Sequence, residues 1–113
     1  MAFLLLYANR YAISTMGKSE DFGKVMKVVT ELTEVNEDDI IQGSRAVEVV
    51  DARWLIIKLM KEKGYSSKQI APLLNRSIRS ITHSLLYFES RAEDPFSALG
   101  NIYEIAKQHL RNN

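Results

Sequence analysis

The chain has 113 residues, 46% hydrophobic and 26% charged, with 15 basic and 14 acidic residues for a net charge of +1. That size and balance describe one globular domain and exclude a disordered chain. The lack of cysteine excludes disulfide scaffolds, thiolate metal sites and a thiol nucleophile, and it fits a cytoplasmic setting.

The apolar run Ala2 to Ala8 is too short for an export signal and has no basic residue ahead of it, and no stretch reaches the length of a membrane span. Residues 1–19 are expected to form an extension: either a helix packing on the domain or a partner, or an upstream segment if translation begins at Met16. The domain itself is expected over residues 20–113. Glu20 to Glu34 spaces Phe22, Val25, Val29 and Leu32 by three and four, which predicts a helix with Lys24, Lys27 and Glu31 in water. Asn36 is expected to cap a short helix through Ile41 that Gly43 ends.

Ala46 to Lys63 is expected to be the longest helix. Val49, Val50, Ala52, Leu55, Ile56, Leu59 and Met60 make a broad apolar stripe along it, and Gly64 supplies the stop. Lys58 and Lys61 read as a solvated face, and Trp54 as half exposed, packing against the extension. Ser66 caps another short helix, Asn75 and Arg76 turn the chain, and Ser77 caps a helix to about Ser90. Asp94 and Pro95 read as cap and first position of a last helix to about Leu110. The fold class is all-α, a domain of about six helices.

Gly64 to Glu89 has the outline of a helix-turn-helix. In its second helix, Ile78, Ile81, Leu85 and Phe88 fall on one side, and Arg79, Ser80, His83, Tyr87 and Ser90 on the other. The second face offers donors and acceptors of the kind that read base edges. Such a face is also what an ordinary solvated helix shows. Charge is segregated in favour of the first reading: from Ser44 to Arg91 there are nine basic residues against four acidic ones, a net +5. Residues 1–43 carry −3 and residues 92–113 carry −1.

In order along the chain, KVMKVVTEL, VNEDDIIQGSR, VVDARWLIIKLMKEKGYSSKQIAPLLNRS and the ITHSL segment resemble the C-terminal duplex-binding domain of the bacterial replication initiator DnaA. The likeness runs from about Asp21 to Glu89, with Ser44-Arg45, Asp51 to Arg53 and Lys61 to Ser66 at the family spacing. No single piece is diagnostic; the signal is their order. The resemblance implies a Trp-repressor-like helical domain whose partner is double-stranded DNA. It places Ser77, Arg79 and Ser80 near base edges. Arg45, Ser66, Lys68 and Arg76 fall on phosphates or the minor groove, with His83 and Tyr87 as lesser backbone contacts. A nucleoid-associated location follows if DNA is bound.

The departures are specific. Where the family has a basic run after the Ser-Arg pair, this chain has Ala46 and Val47. Where the family signature reads Asp-His-Thr-Thr-Val, it has Ser77, Ile78, Arg79, Ser80 and Ile81, after a turn one residue shorter. Ile78 is placed to touch a thymine methyl, but its angle beside Ile81 and Leu85 favours core packing. Pro72 predicts a short or kinked first helix in the motif. No phosphate-binding loop is present, so no nucleotide and no cofactor are expected. His83 and His109 have no metal-ligand spacing, and no catalytic or metal-binding group stands out. The rival reading is a protein-interaction module of the same fold with weak or lost DNA binding, its homodimer or partner interface formed by the extension or Trp54.

Overall fold

The apolar residues spaced three and four apart fall on helices throughout. The computed structural model describes the backbone of residues 2–112 and the side chains of residues 18–112. Its six helices are α1 (Ala2–Thr33), α2 (Glu37–Gln42), α3 (Val47–Glu62), α4 (Ser67–Leu73), α5 (Ile78–Glu93) and α6 (Leu99–Arg111), with no strand among the described residues. The all-α, six-helix expectation holds. None of these helices is long and apolar enough to cross a membrane.

The longest helix is α1, not α3. It runs unbroken across the expected boundary at residues 19 and 20, so the backbone marks no junction there. What the extension's side chains before residue 18 pack against lies outside the described residues. Beyond that point Val25, Met26, Val28 and Val29 are buried, and the helix ends where Glu34 turns left-handed at φ 58°.

Asn36 accepts a hydrogen bond from the Asp38 amide at the start of α2, and Gly43 closes it at φ 85°, both as expected. Helix α3 is central and touches each of the other five. Its stripe is buried at Val49, Ala52, Leu55, Ile56, Leu59 and Met60, while Val50 is only half-buried and Ile57 joins the core instead. Ile40, Ile70, Leu74, Ile81, Phe88, Leu99 and Ala106 close around it from the other elements.

Two phenols pin the periphery. Tyr65 donates to Asp21 of α1, and this bond, with lesser help from burial, pushes its hydroxyl up to about 12. Tyr103 of α6 donates to Glu62 of α3; burial first and then that bond raise it as well. Both stay protonated donors near neutral pH.

The expected cap at Asp94 and Pro95 is corrected. Asp94 ends α5 and holds a turn, its carboxylate accepting from the Phe96 amide (2.9 Å) and its carbonyl from the Ser97 amide (3.0 Å). Helix α6 opens at Leu99, whose amide donates to the Ser97 hydroxyl (3.2 Å). The shift follows from where α6 must cross α5. A Cβ on Gly100 would lie 2.5 Å from the Ala92 carbonyl oxygen, so the two backbones meet at a point only glycine permits. Gly100→Ala is therefore expected to destabilise the domain by about 1 to 2 kcal/mol in spite of alanine's better helix propensity. Urea unfolding reads it as a lower midpoint; a midpoint at or above wild type would mean that α6 slides freely.

Candidate nucleic-acid interface

Short polar side chains build the α4, turn and α5 unit. Ser66 and Gln69 form a reciprocal capping box at the start of α4, each side chain accepting from the other's amide (3.2 and 2.8 Å). Pro72 lies one residue before the helix ends, which matches the short helix expected. Asn75 then adopts φ 54° while the Arg76 amide reaches back to the Ala71 carbonyl (3.0 Å), closing the helix end. Ser77 caps α5, accepting from the Ser80 amide (3.1 Å).

The exposed face of α5 consists of two parallel rows spaced by four. One is Arg79, His83 and Tyr87; the other is Ile78, Thr82 and Leu86. Ile78 is 49% exposed, so the expectation that it packs with Ile81 and Leu85 is corrected: only Ile81 and Leu85 turn inward. The first residue of α5 lies beyond the point where α4 can cover it. Ser80 is half-buried at the flank, and its carbonyl accepts from the buried Ser84 hydroxyl (3.0 Å). Thr82, which the sequence reading passed over, is exposed, and its hydroxyl donates to the Ile78 carbonyl (3.0 Å). From Gly64 to Phe88 the chain has no acidic residue.

Behind the turn lies a residue whose role the sequence reading missed. Arg53, 4% exposed, donates from Nε to the Ile40 carbonyl (3.0 Å) and from Nη2 to the carbonyls of Ser44 (3.1 Å) and Asp39 (3.5 Å). It is a buried cation at the negative end of α2, satisfying the Ile40 carbonyl there and the Ser44 carbonyl of the following loop, while the Asp39 carbonyl also accepts from the amides of Gly43 and Ser44. Its spacing with Val49, Ala52, Ile56 and Met60 puts it on the buried stripe, and that was the legible signal.

Arg76 comes from the other side. Its Nη1 lies 2.7 Å from where a Cβ on Gly43 would sit, and its Nε is buried without a partner among the described residues. Burial, and then the charge of Arg76, lower the Arg53 guanidinium from its ordinary value. The α4 to α5 turn thus abuts the α2 to α3 loop, which carries exposed Arg45 two residues beyond Gly43. No protein-family model, curated protein or solved structure matches the chain.

The other expected site residues separate into free and engaged groups. Arg45, Lys68 and Arg79 are exposed, and none forms an ion pair among the described residues. Ser66 and Ser77 are exposed caps whose oxygens already accept an amide. His83 leans on Tyr87 (ring centroids 4.7 Å apart) and edge-on to Trp54 (6.0 Å).

Trp54 itself is half-buried, with the Arg91 guanidinium 5.6 Å from its ring; Arg91 is paired with Asp51. Lys58 is not part of a solvated face: it pairs with Glu89 (3.0 Å) and sits 5.5 Å over Phe88. The outward charge of this stretch falls only from +5 to +4: buried Arg53 drops out, while Lys58 and Arg91 take their partners Glu89 and Asp51 with them. Among the described residues no group of His, Asp and Glu could hold a metal ion.

Proposed function

We propose that the chain is a sequence-specific duplex DNA-binding module of the kind found at the C-terminus of the replication initiator DnaA, acting in replication or transcription control. Helix α5 enters the major groove with Arg79 at a base edge and Ser77 beside it. Arg45, Arg76, Lys68 and the Ser66 hydroxyl hold the flanking phosphates, and His83 and Tyr87 contact the backbone farther along. The proposed activity is binding; it requires no nucleotide and no chemical step.

One observation carries this reading. Arg76 lies over Gly43 and so brings the Arg45 loop against the turn that leads into Arg79. The same contact is unfavourable for the isolated fold, since it holds two guanidiniums together and leaves Arg76 Nε unpartnered among the described residues. A phosphate oxygen beside them would offset both costs. The acid-free span from Gly64 to Phe88 leaves nothing on the motif itself to repel a duplex.

The test is binding to a pool of random duplexes at two salt concentrations, with an Arg76→Ala/Arg79→Ala variant alongside. Wild type should enrich a defined sequence and lose affinity as salt rises. The variant should bind at least about tenfold more weakly, with a shallower salt dependence. Equal binding by both proteins with one salt slope would overturn the proposal. The protein-interaction reading is favoured by Phe96, 98% exposed in the α5 to α6 turn, and it takes over if wild type binds no duplex even at low salt.

A further inference from the structure

Three features lie outside the assignments above: an open pocket between α3 and α6, exposed Phe96, and the Ile78, Thr82 and Leu86 row on α5. The pocket is rimmed by Lys63, Lys107 and Arg111, but Lys107 is already taken by Glu104 and the Tyr103 ring, Lys63 pairs with Asp21, and among the described residues no buried polar atom of its lining lacks a partner. Phe96 stands alone with nothing to say what covers it. The row is different, because it is continuous and lies on the helix face that the proposed function assigns to DNA.

Isolated apolar residues on a surface are ordinary. Here three lie at positions i, i+4 and i+8 of a single helix, directly beside Arg79 and His83. Leu86 is 70% exposed and Ile78 49%. Thr82 adds to the apolar character of the row, because its hydroxyl proton is spent on the Ile78 carbonyl. At the start of a helix that lies in a major groove, the apolar group within reach is the C5-methyl of thymine, the one base-edge feature that an aliphatic side chain recognises.

Ile78 and Arg79 are chain neighbours, with Cα atoms about 3.8 Å apart. That is close to the rise of about 3.4 Å per base pair. Two such side chains reach adjacent base pairs.

We propose that Ile78 is a specificity-determining residue: its side chain packs on a thymine C5-methyl at the base pair next to the one Arg79 contacts. This rests on the duplex-binding reading, and it goes further by stating that part of the target is read by apolar contact. Thr82 extends the same apolar surface toward the following base. Leu86, just over two turns into α5, lies beyond the base-reading end.

The test begins with a site enriched from random duplexes by wild type. Each thymine in it is replaced singly by deoxyuridine, which removes only the methyl group, and affinities are measured for wild type, Ile78→Val and Ile78→Ala. One thymine should be sensitive in wild type, its replacement weakening binding by about fourfold, the worth of one buried methyl-sized group. In Ile78→Ala that penalty should vanish, while Ile78→Val keeps part of it. Because Ile78 is half exposed, the melting temperatures of both variants should stay near wild type, so a lost penalty reads as lost recognition.

If no thymine is sensitive, or if Ile78→Ala shows the full penalty, the inference is overturned while duplex binding stands. If wild type enriches no site, the duplex reading itself fails. If sedimentation of the free protein shows a dimer that Ile78→Ala dissociates, the row is a contact between copies of the chain and the inference is overturned in favour of that role.

Discussion

Arg53→Met should lower the thermal midpoint of the domain by about 8 °C, the largest stability effect expected of any single substitution at the candidate interface. Methionine keeps the apolar stem and fills much of the same volume, so the loss isolates the guanidinium. The carbonyls of Ile40 and Ser44 lose their donor, while that of Asp39 keeps the amides of Gly43 and Ser44. The Ile40 carbonyl is bonded by the buried Nε and has the least access to water in exchange. At about 1 kcal/mol for each carbonyl left without its partner, the total is about 2 kcal/mol. For a domain of this size each kcal/mol is worth about 4 °C.

Relief of the repulsion between Arg53 and Arg76 offsets part of this, and so the estimate stays at the low end of the range for buried donors. The variant should also bind duplex more weakly at temperatures where it is fully folded, because the same bonds hold the loop that carries Arg45. Thermal melting followed by circular dichroism checks the first part. A drop of less than about 4 °C, the equivalent of 1 kcal/mol, would mean that α2 is closed by Gly43 alone.

Arg79→Ala should weaken binding to the selected duplex by about thirtyfold, or about 2 kcal/mol, the middle of the range for one bidentate base contact. Arg79 suits that role because it is exposed in the first turn of α5 and forms no ion pair among the described residues. Among the described residues its side chain has no hydrogen bond or ion pair to give up. Arg79→Lys separates charge from geometry. Lysine keeps the positive charge and therefore most of the affinity for random duplex, but it lacks the planar fork that matches two acceptors on guanine. The lysine variant should lose preference for the selected site over random sequence while its salt dependence stays close to wild type. Competition titrations with selected and random duplexes measure both quantities. Unchanged preference in Arg79→Lys would move Arg79 from the bases to a phosphate.

Local chemistry decided much of the fold, and it was readable in the chain. Asn36, Ser66 and Ser77 are caps because a short side-chain oxygen reaches the amides at the start of a helix, which depends on a few neighbouring residues. Gly43 and Gly64 end helices because the left-handed turn has no room for most side chains. The error at Asp94 and Pro95 is of another kind. Cap followed by proline is a sound local signal, but α6 can begin only where Gly100 lets it pass the Ala92 carbonyl, and that depends on a helix lying alongside.

The candidate interface divides along the same line. The sequence by itself determined an all-α chain of capped helices with an acid-free helix, turn and helix, because periodicity, caps and charge runs are properties of near neighbours. Only the tertiary structure decided which cations remain for a partner. Lys58 and Arg91 look as available in the sequence as Arg79 does, yet Glu89 and Asp51 reach them across helix pairs. Arg53 was counted as surface charge until α2 and the loop after it brought the carbonyls of Ile40 and Ser44 over it. Ile78 was assigned to the core until α4 proved too short to cover the first residue of α5. The physical reason is common to these cases: pairing and burial depend on what lies across a helix contact, and residues far apart in the chain set that contact.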